Sequence, residues 1–295
     1  MSIGVIGAGK WGSALHFAVS QKNRVVIHSR RVRDREDFVS LEEVLECDYL
    51  IITVPAQEVG NWLAESFVYK GQKILVASKG IEAKSGRFLN EIYANYVPDE
   101  NIAFLSGPSF ATEVMRSLPT ALVINSKNEQ LAEAFAALFP TFIKTYTSCD
   151  VIGAEIAGAY KNVIAIAAGI AAGLELGNNA AAALISRGLV EMDRFGSVYG
   201  ASKETFLGLS GAGDLFLTAS STMSRNFRVG LGLAKGLSQA DILAELGEVA
   251  EGIGTSYALE AMAKEKGIYL PIATEVHAML EGKSPKESLH DLLES

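Results

Sequence analysis

Gly7-Ala8-Gly9-Lys10-Trp11-Gly12 stands between the apolar run 3–6 and a helical pattern reaching to about residue 21. Few arrangements satisfy such a sequence. A first glycine permits a tight turn, a second lets the backbone approach a pyrophosphate, and a third allows a helix to pack closely on a strand. The free N–H groups at the start of that helix then face the phosphates. Alone the motif is a tight turn, but between a strand and a helix it reads as a dinucleotide loop, with Gly7, Gly9, Lys10, Trp11 and Gly12 at the cofactor.

The pattern downstream agrees. Short apolar runs at 3–6, 24–28, 49–54, 73–77, 102–105 and 121–124 predict strands. Amphipathic stretches near 11–21, 41–46, 56–67, 85–95 and 128–138 predict helices. Strands alternating with helices imply parallel βαβ units with buried Val/Ile-rich strands. Ser40 with Glu43 three residues on reads as a capping box. After about residue 148 strand signals stop. The stretch 151–175 is rich in Ala and Ile, and a helix apolar nearly all round must be enclosed by others. Another helix starts at Asn178 or Asn179. Ser238 with Asp241, and Ser284 with Pro285 and Glu287, mark further starts. The fold class is therefore α/β: a Rossmann-like, doubly wound N-terminal domain over residues 1–148, then an all-α C-terminal domain over 149–295.

Charge narrows the partners. The net charge of -8 argues against nucleic acid or an anionic membrane. An anionic substrate must then be held by a local cluster. Two cysteines, Cys47 and Cys149, form no disulfide framework and no zinc-ligand spacing. The four histidines are scattered, so no metal is expected. The run 163–174 is too short to span a bilayer, and the first residues lack the pattern of a signal peptide. A cytoplasmic protein is expected.

Five segments carry candidate chemistry. Ser78-Lys79-Gly80 follows the fourth strand, where open α/β sheets bind ligands; Lys79 is either a donor to a substrate oxygen or a surface lysine. Ser106-Gly107-Pro108-Ser109-Phe110-Ala111 follows the fifth, as an N–H-presenting loop or a structural turn. Lys161-Asn162 opens onto the apolar run. A buried lysine is costly unless used or paired, and desolvation lowers its pKa, which suits a proton acceptor. The competing reading is a snorkelling lysine. Asp214 ends a glycine-rich turn, as a helix cap or as the partner that orients Lys161 and opposes the lowering of its pKa. Ser224-Arg225-Asn226 offers a hydroxyl, a guanidinium fork and an amide to a phosphate, or a helix start with Arg225 exposed.

The second strand ends in His28-Ser29-Arg30-Arg31-Val32-Arg33. A site preferring NAD places an acid there for the ribose 2′-hydroxyl. Arg30, Arg31 and Arg33 suit a 2′-phosphate instead, so NADP(H) is favoured, with NAD(H) as the alternative. A solvated basic loop neutralised by Asp34 and Glu36 competes with this.

Taken together the segments resemble the bacterial-type NAD(P)-dependent glycerol-3-phosphate dehydrogenases. The matching pieces run in family order. They are the Gly7–Gly12 loop, Ser78-Lys79-Gly80, the stretch from Ser106 to Val114, and Gly158-Ala159-Tyr160-Lys161-Asn162-Val163. Arg187-Gly188-Leu189-Val190-Glu191, Gly211-Ala212-Gly213-Asp214-Leu215, Ser224-Arg225-Asn226 and Glu251-Gly252 follow. The resemblance implies Lys161 as proton acceptor. It implies Lys79, Gly107, Ser109, Lys161, Asp214, Ser224, Arg225 and Asn226 as contacts to sn-glycerol 3-phosphate or dihydroxyacetone phosphate. It implies Trp11, Lys79, Ala111, Arg225, Val249 and Glu251 as contacts to the cofactor, and a product feeding glycerophospholipid synthesis. The chain departs from the family in a short connection between the second and third strands. A 3-hydroxyacid dehydrogenase and a non-catalytic dinucleotide sensor are the competing functions. The oligomeric state is open, a homodimer included.

Overall fold

The computed structural model describes residues 1–294. The chain divides into two compact units. Met1–Lys79 with Leu89–Ala154 makes the first; Gly80–Phe88 with the chain from Glu155 onward makes the second.

The first unit is a seven-stranded sheet. Its strands are β1 (Ile3–Ile6), β2 (Val25–His28), β3 (Tyr49–Ile52), β4 (Lys73–Val76), β7 (Ile102–Ser106), β8 (Thr120–Asn125) and β9 (Ile143–Ser148). β5 (Ile81–Glu82) and β6 (Arg87–Phe88) form a separate antiparallel hairpin. The sheet order is β2-β1-β3-β4-β7-β8-β9. β1 pairs in parallel with both β2 and β3, Ile3 standing opposite Val25 and Tyr49. The strand order therefore reverses at β1, the place where open α/β sheets receive ligands beyond their strand C-termini. Two apolar clusters enclose the sheet. Val5, Ile27, Ile51 and Leu75 pack with Leu15 and Val19 in one, and Ile6, Leu50, Ile52 and Val76 with Val59 and Leu63 in the other.

Three features differ from the sequence expectation. β8 runs antiparallel to β7. Only the short helix Ala111–Val114 lies between them, and a parallel return needs a longer crossover. β9 carries no continuous apolar run, yet it closes the edge in parallel with β8. The β5–β6 hairpin belongs to the second unit, where Phe88 meets Tyr199 edge-on at 5.2 Å.

The second unit is helical. Its central helix, Val151–Gly173, begins in the first unit and has 23 residues, a length of about 35 Å. It lies within the stretch 151–175 that the sequence marked as an enclosed helix. By length and composition it passes as a membrane span, but most of it is buried within the protein. Gly177–Val198, Arg225–Ala234, Glu251–Lys266 and Pro271–Leu280 are among the helices of this unit. Helix Arg225–Ala234 touches the central helix backbone to backbone. A Cβ on Gly169 would lie 2.0 Å from the Phe227 carbonyl oxygen, and one on Gly230 would lie 2.1 Å from that of Ile166. Ser40 and Ser238 cap their helices as the sequence predicts.

Candidate active site

In the first unit the glycines divide their tasks. Gly7 has φ +110, and a Cβ there would meet the Thr53 hydroxyl oxygen at 2.3 Å. On Gly12 it would lie 1.8 Å from the Gly7 carbonyl oxygen. On Gly9 it would meet nothing within 4 Å. Two positions are thus closed by the protein itself, and the middle one faces open space at the N-terminus of helix Lys10–Ser20. Gly9 supplies no side-chain cap there, and a helix N-terminus suits an anion. These residues fit a dinucleotide pyrophosphate. Thr53, which the sequence reading passed over, donates its hydroxyl to the carbonyl oxygens of Ile6 and Gly7 at 3.0 and 3.1 Å and holds the turn.

Trp11 donates its indole N–H to the Ala77 carbonyl at 3.0 Å, fastening the helix to the end of β4. Lys79 lies two residues further on and donates to the Gly107 carbonyl at 3.1 Å. Ser109 donates to the same oxygen at 3.2 Å. Gly107 has φ +99, and a Cβ there would sit 3.0 Å from the Ala121 carbonyl oxygen. Lys79, Gly107 and Ser109 are therefore one cluster past β4 and β7, beside Ala111 at the start of its helix. Lys10, Arg30, Arg31 and Arg33 are exposed. Asp34 and Glu36 form no ion pair with the three arginines; the fourth arginine, Arg35, is the one that pairs, with Asp37.

In the second unit Lys161, 8% exposed, lies on the central helix, and Asp214, 1% exposed, opens helix Asp214–Ala219. Lys161 Nζ is 2.5 Å from Asp214 Oδ1 and donates to Thr218 Oγ1 at 3.2 Å. The ammonium is thus held inside, not snorkelled to water, with the Asp214 carboxylate as its partner. Thr218, one turn after Asp214, donates to the Asp214 carbonyl at 2.6 Å, which aims its oxygen at the lysine. A π-helical turn, Leu209–Gly213, precedes Asp214; such turns concentrate at functional sites. Sequence reasoning missed the role of Thr218, and its only signal was the i+4 spacing from Asp214.

Ser224, Arg225 and Asn226 do not act alike. Ser224 Oγ accepts from Phe227 N–H at 3.2 Å as an N-cap. Arg225 is exposed, with Nη1 3.6 Å from Glu248 Oε2. Asn226 is buried and mostly occupied: its amide donates to Asn162 Oδ1 at 2.8 Å, and its oxygen accepts from Gly252 N–H at 3.0 Å. That link joins three pieces the sequence separates, since Asn162 adjoins Lys161, Asn226 adjoins Arg225, and Gly252 adjoins Glu251. Glu251 begins helix Glu251–Lys266, and Val249 just before it is exposed. The Gly169–Gly230 contact sets this register, since Asn226 lies one turn before Gly230 and Asn162 two turns before Gly169. Among the described residues no three His, Cys, Asp or Glu side chains gather as a metal cluster.

The arrangement can hold a dinucleotide on one unit, and on the other it can move a proton at Lys161 Nζ while offering a guanidinium to an anion. The family described as NAD-dependent glycerol-3-phosphate dehydrogenase N-terminus matches residues 36–132, and its C-terminus counterpart matches residues 150–291. The chain is 70% identical over 291 residues to glycerol-3-phosphate dehydrogenase [NAD(P)+] of Sulfurimonas denitrificans, covering 99% of this chain and 98% of that protein. It is 61% identical to the Nitratiruptor enzyme of the same name, covering 100% and 98%. The crystal structure of glycerol-3-phosphate dehydrogenase from Coxiella burnetii is 34% identical and superposes with a TM-score of 0.91, covering 100% of this chain and 99% of that one. The chain belongs to the NAD-dependent glycerol-3-phosphate dehydrogenase family.

Proposed function

We propose that this chain interconverts sn-glycerol 3-phosphate and dihydroxyacetone phosphate with NAD(P)(H), NADP(H) being preferred, and supplies glycerol 3-phosphate to glycerophospholipid synthesis in the cytoplasm. The observation that carries this reading is the buried ammonium of Lys161 against Asp214 and Thr218, joined through Asn162 and Asn226 to the residue beside the exposed Arg225.

A nicotinamide dinucleotide, when bound, would supply or accept the hydride at C2 of the substrate. Lys161 Nζ, as the neutral amine, takes the C2 hydroxyl proton as the C2–O bond becomes a carbonyl, and as the ammonium returns it in the reverse direction. Asp214 balances the charge of the ammonium, and the two oxygens of Asp214 and Thr218 fix where Nζ points. Arg225 grips the phosphate, helped by the remaining hydroxyl proton of Ser224 and the second amide proton of Asn226. Binding so far from the reacting carbon orders the reacting groups. Gly7, Gly9, Lys10, Trp11, Gly12 and Ala111 serve the cofactor, together with Lys79, Val249 and Glu251. Lys79, Gly107 and Ser109 are also assigned to the substrate in this reading. Arg30, Arg31 and Arg33, with no acid at the end of β2, favour a 2′-phosphate.

The test is reduction of dihydroxyacetone phosphate by the purified chain, followed at the reduced-nicotinamide absorbance band with NADPH and NADH in parallel and with 3-oxoacids as competitors. Lys161→Ala is expected to lower kcat by about 10²–10⁴-fold with cofactor binding retained. Full turnover by Lys161→Ala, or a preference for 3-oxoacids, would refute the assignment.

A further inference from the structure

The short connection after β2 has its own architecture. β2 is the edge strand of the sheet, and residues 37–39 fold back along it. Ile27 N–H donates to the Asp37 carbonyl at 2.9 Å, and Val39 N–H donates to the Ile27 carbonyl at 3.0 Å. Phe38 bridges Ile27 in parallel. Residues 29–36 are thereby a closed excursion whose two ends lie on one strand edge, and Arg30, Arg31 and Arg33 are displayed on it.

A three-residue ring locks its base. Arg35 grips Asp37 with two parallel bonds, Nε to Oδ1 at 2.5 Å and Nη2 to Oδ2 at 2.8 Å. His16 Nε2 is 2.9 Å from Asp37 Oδ2, and its Nδ1 is 3.1 Å from Arg35 Nη2. His16 is 5% exposed and sits on helix Lys10–Ser20, the helix whose N-terminus faces the pyrophosphate position. These partners fit a neutral ring, with Nε2–H donating to the Val25 carbonyl at 3.3 Å beside the Asp37 carboxylate, and Nδ1 accepting from the guanidinium. Arg35 is consumed within the ring, which leaves the other three arginines unpaired by acids.

We propose that the Arg35–Asp37–His16 ring is a specificity-positioning device: it holds the 29–36 loop against the dinucleotide helix, so that Arg30, Arg31 and Arg33 meet the 2′-phosphate of NADP(H) already ordered. The inference rests on the reading that these arginines engage a 2′-phosphate. A ribose 2′-hydroxyl needs no such grip, so loosening the ring weakens NADPH and spares NADH. Ordering a few long side chains is worth about a tenfold change in affinity.

The experiment compares KM and kcat for NADPH and NADH in the parent enzyme, Asp37→Asn, Arg35→Gln, and the triple variant Arg30→Ala/Arg31→Ala/Arg33→Ala. Asp37→Asn removes a negative charge near the phosphate position and Arg35→Gln removes a positive one. An effect of bulk charge would move the two variants in opposite directions, whereas loss of the ring moves both the same way. The expected result is KM for NADPH raised about tenfold in both, with KM for NADH and both kcat values unchanged, and loss of NADPH preference in the triple variant. If the triple variant loses the preference and both ring variants keep it, the ring is overturned and the arginine reading stands. Equal weakening of NADPH and NADH makes the ring merely structural and also overturns it. A parent without NADPH preference, or an unaffected triple variant, overturns the arginine reading and the ring with it.

Discussion

Replacing Glu191 tests how the helical unit keeps the helix of Lys161 in place. Glu191 is 2% exposed on helix Gly177–Val198. Its Oε1 accepts from the Tyr160 hydroxyl at 2.6 Å and from Ala273 N–H at 2.8 Å, and its Oε2 accepts from Ile272 N–H at 2.9 Å. Helix Pro271–Leu280 has no side-chain cap of its own, and Pro271 brings no N–H. Glu191 therefore supplies from outside the cap that this helix lacks, while tying down the residue next to Lys161. Burial lifts its carboxyl above the usual range against the pull of these donors. In Glu191→Ala two N–H groups and a hydroxyl lose their acceptor. At about 1–3 kcal/mol for each buried orphan, less what water entering the cavity recovers, the cost is about 4 kcal/mol. Glu191→Gln has one acceptor oxygen. Whichever way the amide points, its NH2 faces one of the two N–H groups, so one orphan remains and the cost is about 2 kcal/mol. For a unit of this size the Tm falls by roughly 5 °C for Gln and 12 °C for Ala. Thermal and urea unfolding, with the urea m-value unchanged, measure both. A Gln variant as stable as the parent, or equal losses in the two, would show that the carboxylate is not capping the helix.

Gly9→Ala and Gly12→Ala should part company. The first adds a Cβ to open space at an extended backbone position, and should leave the Tm unchanged while weakening cofactor binding in calorimetric titration. The second drives a Cβ into the Gly7 carbonyl and should lower both, so equal behaviour would contradict the division of tasks in the loop. Arg225→Ala should raise KM for dihydroxyacetone phosphate by about ten- to a hundredfold, the worth of one or two charge-assisted hydrogen bonds, and leave unphosphorylated dihydroxyacetone unaffected; steady-state kinetics on both ketones decide it. Burial holds the His16 imidazole below its ordinary range, with Asp37 opposing and Arg35 assisting. The unfolded chain then binds this proton more readily than the folded one, so stability falls as pH drops through the unfolded value of about 6.5. The Tm of the parent should fall more steeply than that of His16→Gln between about pH 7.5 and pH 5.5, and parallel curves would exclude this.

The legible parts of the fold are those in which burial is complete. β1, β3 and β4 are apolar on both faces and read directly as runs. β9, Ile143-Lys144-Thr145-Tyr146-Thr147-Ser148, is an edge strand whose side chains are mostly half-buried or exposed. An edge has one neighbour and little apolar demand, so hydropathy leaves no mark on it. The direction of β8 is decided by the length of the connection before it. The two-residue strands of the 81–88 hairpin are too short for any period to show. At the site, Lys161 is legible because an ammonium on an apolar helix requires an explanation from its own neighbourhood. Thr53 and Thr218 act on atoms that only the fold brings near, the Gly7 carbonyl in one case and the Lys161 ammonium in the other.

Asn226 shows why a residue's chemistry and its use are separate questions. Beside Ser224 and Arg225 its amide suits a phosphate as well as they do. An amide side chain has two N–H groups and one carbonyl oxygen, and here one N–H goes to Asn162 and the oxygen goes to Gly252. Ser224 likewise spends its acceptor capacity on Phe227. One amide proton and one hydroxyl proton are left between them, against the five N–H donors of Arg225. In the proposed reading, anion recognition in this segment therefore falls to Arg225, and Asn226 links its helix to that of Lys161. That link depends on two residues with no polar side chain at all: Gly169 and Gly230 let the helices touch, and a methyl group on either would collide with the facing backbone and force the helices of Lys161 and Arg225 apart.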